Sequence, residues 1–77
     1  MKVWEINYQG QEIRVENRTD SERLYINGKL CDEGFVIASR AKLIGKLWDG
    51  RLVKVNIGGT FGIRCDIWVD NDLILKG

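Results

Sequence analysis

Residues 43–57 read LIGKLWDGRLVKVNI, and this stretch decides the fold. From residue 53 to residue 57 a valine or isoleucine alternates with a polar residue, which is the period-two pattern of a strand with one buried face. Asp49-Gly50 lies before that strand and favours the positive φ angles of a type I′ turn between hairpin strands. The stretch therefore predicts two antiparallel strands joined by a tight turn.

Three further turn signals divide the rest of the chain at nearly even intervals. They are Gln9-Gly10, Asn27-Gly28 and Asn71-Asp72, and the first residues of the four signals are separated by 18, 22 and 22 positions. Each interval has room for two short strands and a connection. We therefore expect an all-β chain of about eight strands in antiparallel hairpins, which form a small β-sandwich or a curled barrel.

Two stretches interrupt the regular pattern. Residues 17–22 are all polar and read as a loop. Residues 35–43 follow a break at Asp32-Glu33-Gly34 and fit either a strand or a short helix, because the run is too short for periodicity to decide. We favour a strand with a break there.

Length, charge and cysteine content limit the class of protein. A chain of 77 residues feeds one core, so we expect a single domain over residues 1–77. Twelve basic and eleven acidic residues alternate in sign and leave a net charge of +1, which predicts no polyanionic partner from the overall charge and leaves a local charged patch open. Cys31 and Cys65 form no C-x-x-C pair and read as free thiols of a cytoplasmic protein. No apolar run is long enough for a bilayer, and the first residues lack the apolar core of a secretory signal, so we expect no membrane association.

The composition argues against catalysis. The chain has no histidine, which removes the Ser-His and Cys-His pairs and the commonest zinc ligand. Cys65 lies in the apolar phase of a strand and reads as a core thiol. Residues 58–62 are glycine-rich, but no helix is expected after them, as a phosphate-binding loop requires. We expect no enzyme, no cofactor and no metal.

The last hairpin carries three carboxylates. Asp66 and Asp70 share one strand face and Asp72 lies nearby. Paired carboxylates bind hard cations, but no second cluster supplies the remaining oxygen ligands. The interpretation is a solvated polar face.

Three aromatic side chains are predicted to lie away from the core. Tyr25 and Trp68 each stand between two aliphatic residues of a strand, and Trp48 precedes the third turn. Exposed aromatics serve as interface anchors or stacking platforms. With two nearby cations they define the predicted interaction surface, which consists of Tyr25, Trp48, Trp68, Lys46 and Arg64. The alternative is that the three aromatics cover a second small core on a curled sheet.

Three functions remain open at this point. The leading hypothesis is a non-catalytic protein-interaction module that docks another protein, or associates with itself, through the aromatic face or an open sheet edge. The first alternative is a small nucleic-acid-binding barrel, which the balanced charge disfavours. In it Trp48 and Phe61 would stack on bases while phosphates contact Lys46, Arg51, Lys54 and Arg64. The second alternative is a carbohydrate or small-ligand module that uses Trp68 with Asp66 and Asp70.

The second hairpin also carries a family resemblance. Residues 24–29, LYINGK, follow the pattern aliphatic, tyrosine, aliphatic, Asn-Gly, lysine. Three further features occur in the same order as in the family. They are Trp4 in the first strand, the segment from Leu43 to Lys46 and the strand from Cys65 to Val69. In these features the chain resembles the Fas apoptotic inhibitory molecule family. The resemblance implies a non-catalytic β-sandwich that acts through protein contacts.

Overall fold

The computed structural model describes residues 1–35, 40–59 and 62–77. These residues form eight strands, which are β1 (Lys2–Tyr8), β2 (Gln11–Asn17), β3 (Ser21–Ile26), β4 (Lys29–Phe35), β5 (Arg40–Lys46), β6 (Leu52–Gly58), β7 (Arg64–Val69) and β8 (Asp72–Lys76). The predicted all-β class with about eight strands is confirmed. The undecided stretch 35–43 begins with the last residue of β4 and ends inside β5, and residues 36–39 lie outside the described part.

Two four-stranded antiparallel sheets make up the fold. The first sheet has the order β1-β2-β3-β4 and the second has the order β5-β6-β7-β8. Every pair of neighbouring strands within a sheet is consecutive in sequence, because each connection is short enough to return the chain as a hairpin. The arrangement is consistent with a small β-sandwich. The polar stretch 17–22 is shorter as a loop than predicted, since β2 ends at Asn17 and β3 begins at Ser21.

The turns of the first sheet have the predicted geometry. Gln9 and Gly10 have φ angles of 51° and 80°, and Asn27 and Gly28 have φ angles of 52° and 82°. Two consecutive residues at positive φ are what a type I′ turn requires, and its twist matches that of the flanking strands. The Asn27 side chain also accepts a hydrogen bond from the Glu12 N–H at 2.9 Å, which ties this turn to β2.

The third turn differs from the prediction. Only Gly50 has a positive φ, 88°, whereas Asp49 does not. The Gly50 N–H donates to the Leu47 carbonyl at 3.0 Å, and the Leu47 N–H donates to the Arg51 carbonyl at 2.9 Å. The loop therefore has three residues, and such loops need one residue at positive φ instead of two. The type I′ prediction is wrong at this turn.

The fourth turn begins one residue earlier than predicted. Asp70 has a φ of 50°, and β8 already begins at Asp72. The Asp70 N–H donates to the Leu52 carbonyl at 2.8 Å, and Asp70 Oδ1 accepts a hydrogen bond from the Leu52 N–H at 3.0 Å. These two bonds to β6 hold Asp70 in the turn.

The core lies between the two sheets and is formed mainly by the apolar phase of the inner strands, with Leu43 of the edge strand β5 and Leu47 after it. Both sheets contribute to one buried cluster, which contains Ile13, Val15, Leu24, Ile26, Leu43, Leu47, Val53, Val55, Ile57, Cys65, Ile67 and Val69. Trp4, Ile6 and Tyr8 of β1 pack against it. Cys65 is buried and unbridged, as the alternation predicts.

One corner of the sandwich is closed by a side chain. Asp32 Oδ2, on β4, accepts a hydrogen bond from the Ile44 N–H of β5 at 2.8 Å. Gly45 lies beside this contact, and a β-carbon there would stand 2.8 Å from Ile26 Cδ1 of the first sheet. The absence of a side chain at Gly45 therefore allows β5 to approach the first sheet closely.

Candidate interaction surface

On the outer face of the second sheet, one row of side chains runs across all four strands. Ile44 pairs with Lys54, Lys54 pairs with Trp68, and Trp68 pairs with Leu73. Adjacent positions in such a row are neighbours, because paired residues on one face have β-carbons about 5 Å apart. We name the patch around this row the Trp68 face, and it consists of Lys42, Ile44, Lys46, Lys54, Asn56, Trp68 and Leu73.

The Trp68 face exposes aliphatic carbon to water. Ile44 keeps 53% of its surface exposed and Leu73 keeps 47%, while Trp68 is half-buried between them. These side chains face outward because their chain neighbours Leu43, Ile67 and Val69 occupy the core. Apolar side chains grouped on the water side of a sheet are typical of a contact surface.

Lysines border this apolar row. Lys42 and Lys46 flank Ile44 along β5, and Lys54 occupies the row itself on β6. All three are exposed, and none forms an ion pair with another described residue. The nearest acidic position of β7, Asp66, is 3.7 Å from Arg64. The lysines of the Trp68 face therefore have no ion pair within the described residues, although the Asp70 carboxylate lines a cavity together with Lys42 and Lys54.

A shallow cavity lies on the same face. It has a volume of about 360 Å³, and its lining includes Lys42, Ile44, Lys54, Trp68, Asp70 and Asn71. The wall formed by Trp68 is apolar, and the lysines contribute hydrogen-bond donors at the rim. The cavity is at the small end of the range for ligand pockets.

Trp48 lies on a turn that is held from both sides. Its backbone N–H donates to Oε1 of the buried Gln11 at 2.8 Å. Arg51 donates to Asp49 Oδ2 at 2.8 Å and its guanidinium carbon lies 5.2 Å from the centre of the Tyr8 ring. These hydrogen bonds from Arg51 lower the pKa of Asp49. The indole nevertheless remains 79% exposed, so the turn presents a large apolar group in a fixed place.

The structure divides the predicted interaction surface. Lys46 and Trp68 lie on the Trp68 face, Arg64 lies farther along β7, and Trp48 follows β5 on the turn. Tyr25 lies on the outer face of the first sheet, where its hydroxyl is 3.5 Å from Arg23. Tyr25 is therefore not grouped with Trp68.

The structure brings together only some residues of the two alternative functions, since Lys46 and Lys54 share the Trp68 face and Trp68 and Asp70 line one cavity. Arg51 is occupied by Asp49 and Tyr8, and Phe61 lies outside the described residues. Asp66 accepts a hydrogen bond from the Gly77 N–H at 3.2 Å, so it holds the end of the chain. Within residues 1–35, 40–59 and 62–77, no cluster of three or more acidic or cysteine side chains is placed to hold a metal ion.

Four residues of the Trp68 face were missed from the sequence, namely Lys42, Ile44, Asn56 and Leu73. Lys42 and Ile44 lie in or next to the stretch whose structure the sequence left undecided. The sequence assigns no face to Leu73, and in the structure a register shift between Ile67 and Trp68 makes it the partner of Trp68. Only the register between the strands shows that these residues share one face with Trp68.

The outer face of the first sheet is different in character. Arg14 contacts Glu5 and donates to Glu16 at 2.9 Å, and Arg18 donates to Glu16 at 2.8 Å. One strand further, Arg23 contacts Glu33. Arg14, Arg18 and Arg23 are therefore each paired with a carboxylate of the first sheet.

Comparisons with known proteins add no assignment. No family model, curated protein or solved structure matches the chain. The resemblance to the Fas apoptotic inhibitory molecule family stays a prediction. In the described part of the chain there is no helix of the length and apolarity needed to cross a membrane.

Proposed function

We propose that this chain is a non-catalytic protein-interaction module that binds its partner through the Trp68 face. The observation that carries the proposal is the row Ile44, Lys54, Trp68 and Leu73, in which aliphatic and aromatic carbon faces water across four strands. The opposite side of the same sheet already supplies the core. A half-buried tryptophan beside an exposed leucine, with an exposed isoleucine two strands away, has the composition of an interface anchor.

The chemistry of the cysteines supports a non-catalytic role. Burial raises the pKa of the Cys65 thiol to about 12, so this sulfur stays protonated near neutral pH. A buried thiol is also out of reach of a substrate. With no histidine in the chain, no general base of the usual kind is available to activate Cys31.

Site-specific photo-crosslinking tests the proposal. A crosslinking amino acid placed at position 44 or 73 should capture a protein in cells, whereas the same group at position 5, on the outer face of the first sheet, should not. The captured protein is then purified and titrated against wild type, Trp68→Ala and the matched control Tyr25→Ala. We expect Trp68→Ala to weaken binding about 30-fold or more, as for a central anchor, and Tyr25→Ala to leave it unchanged.

Two outcomes contradict the proposal. Equal capture from positions 5 and 44 shows that the Trp68 face has no special role. A titration in which Trp68→Ala binds as tightly as wild type, with unchanged circular dichroism, removes Trp68 as the anchor.

A second candidate function is favoured by one observation, the three lysines beside Trp68. Single-stranded nucleic acids bind where cations track the phosphates and an aromatic ring stacks on a base. Fluorescence anisotropy with mixed single-stranded DNA and RNA, at low and moderate salt, separates this function from the first. Binding that falls steeply with salt supports it, and no binding at about 100 μM protein eliminates it.

A further inference from the structure

We infer that the partner of the Trp68 face is an acidic segment of another protein, in which an apolar side chain is flanked by carboxylates. The inference rests on the proposed function and adds the chemistry of the partner. It starts from the juxtaposition of Lys42, Lys46 and Lys54 with the apolar row of Ile44, Trp68 and Leu73.

Two of the lysines flank Ile44, and the third lies within the row between Ile44 and Trp68. Lys42 and Lys46 lie four residues apart on β5, which places their α-carbons about 13 Å apart along the strand. Lys54 lies one strand away, opposite Ile44. An approaching segment therefore meets apolar groups and ammonium groups side by side, with Lys54 between Ile44 and Trp68. Carboxylates at matching positions complement these charges and discourage neutral or basic competitors.

The cavity beside Trp68 provides the place for the apolar side chain. Its volume of about 360 Å³ opens to solvent between Lys42, Lys54 and Trp68. An aliphatic or aromatic group entering there removes the indole face from water, while the lysine ammonium groups stay at the rim. The anchor and the charge contacts can therefore form at the same time.

A second copy of this chain fits the face poorly. A symmetric dimer through the Trp68 face would bring two sets of these lysines into one interface, because a two-fold interface uses the same patch on both partners. Contact with the outer face of another copy's first sheet offers few available carboxylates, since Glu5, Glu16 and Glu33 are already engaged by arginines. Charge therefore favours a different protein.

A nucleic acid also fits less well than an acidic peptide. Two of the three apolar groups in the row, Ile44 and Leu73, are aliphatic, and only Trp68 offers a ring for stacking. A row with one ring and two aliphatic groups suits an apolar peptide side chain better than successive stacked bases.

The test uses two synthetic peptides of the same length and the full chain. One peptide carries four glutamates on each side of two leucines, and the other carries lysines in place of the glutamates. Nuclear magnetic resonance titration follows the indole N–H signals of Trp68 and of Trp4, which packs against the core. We expect the glutamate peptide to shift the Trp68 signal and the lysine peptide to shift neither.

Charge variants give the matched control. The double change Lys42→Glu with Lys54→Glu should weaken binding of the glutamate peptide about tenfold, since each exposed ion pair contributes a factor of about 1.5–5 and reversal adds repulsion. Lys29→Glu changes an exposed lysine of the first sheet and should weaken binding by less than about twofold. Raising the salt concentration from about 50 mM to about 500 mM should also weaken binding, because exposed ion pairs are screened.

Several outcomes overturn the inference. The first two are the absence of a Trp68 shift at about 1 mM glutamate peptide, and a loss of peptide affinity in Lys29→Glu equal to that in the double variant. The third is displacement of the peptide by an oligonucleotide at a lower concentration than the peptide. The fourth is a dimer, detected by light scattering, that the change Trp68→Ala dissociates. If photo-crosslinking from position 44 captures a partner while the glutamate peptide fails to bind, the proposed function stands and this inference alone fails. If both experiments are negative, the proposed function fails with it.

Discussion

The outer faces of the two sheets differ in how their charges are satisfied. On the first sheet, Arg14 and Arg18 both contact Glu16, and Arg23 contacts Glu33. On the second sheet, the lysines at 42, 46 and 54 form no ion pair with a described residue. Both sheets are four-stranded meanders of similar length, so the difference comes from side chains and not from architecture.

This difference shows why a net charge of +1 is a poor guide to partners. The overall balance averages a face that is paired internally with a face that is positive and partly apolar. Local potential, and not total charge, steers an approaching molecule. The following predictions test whether the two sheets differ as described, beginning with the largest effect.

The largest effect is expected for the rates at which a thiol reagent labels the two cysteines. Cys31 of the first sheet is exposed, whereas Cys65 of the second sheet is buried, and burial raises the pKa of its thiol to about 12. Modification of Cys65 requires global opening, so its labelling by a thiol reagent should be slower by at least about 10³-fold. The measurement is the time course of labelling in wild type and in Cys31→Ser, which isolates Cys65. Rapid native labelling of both sulfurs contradicts the position of β7.

The next largest effect is expected from substitution of the glycines in the turns. Gly28 of the first sheet and Gly50 of the second have φ angles of 82° and 88°, and nothing lies within 4 Å of a β-carbon placed at either. Replacement by valine should therefore cost only backbone strain, about 1–3 kcal/mol at each site. Replacement by asparagine, which tolerates this conformation, is the matched control and should cost much less. Chemical denaturation measures both, and a valine variant as stable as its asparagine counterpart would refute the turn geometry.

Most of the core could be predicted from the sequence. Period-two alternation identified the buried phase of β2, β6 and β7, because a strand that packs on one side must place every second side chain inside. The first two turns were predictable as well, since Gln9-Gly10 and Asn27-Gly28 close two-residue loops. The third turn was not, because loop length depends on the register that pairs Lys46 with Leu52.

The candidate site could be predicted only in part. Trp68 and Lys46 follow from alternation within their own strands. The separation of Tyr25 from Trp68 does not, because it requires knowing that the chain changes sheets between β4 and β5. A repeat of two residues assigns faces within one sheet and carries no information about which sheet a strand joins.

Two buried carboxylates of the first sheet lead to the smallest effects. Glu16 and Glu22 are 5% and 4% exposed, but they lie on opposite faces. Hydrogen bonds from Arg14 and Arg18 lower the pKa of Glu16 in spite of its burial. Burial raises the pKa of Glu22, which receives one hydrogen bond, from Asn17 at 3.3 Å. Its Oε2 has no partner among the described residues.

The opposite shifts predict opposite effects of pH on stability. The pKa of Glu16 is below its ordinary value of 4.5 in the folded chain, so its contribution to stability is present above pH 4.5 and is lost as pH falls through the folded pKa. The pKa of Glu22 is above 4.5 in the folded chain, so its contribution is fully present below pH 4.5 and is lost as pH rises through the folded pKa. Stability of the wild type should therefore decline on both sides of an acidic optimum.

Glutamine variants separate the two contributions and serve as controls for each other. Glu16→Gln should flatten the decline on the acidic side, and Glu22→Gln should flatten the decline toward neutral pH. The measurement is the free energy of unfolding in urea, followed by tryptophan fluorescence from about pH 3 to about pH 8. If the stability difference between wild type and Glu22→Gln is the same at about pH 4 and about pH 7, then Glu22 does not titrate differently on folding. That result would contradict the contrast between Glu16, whose carboxylate accepts hydrogen bonds from two arginines, and Glu22, whose Oε2 has no partner among the described residues.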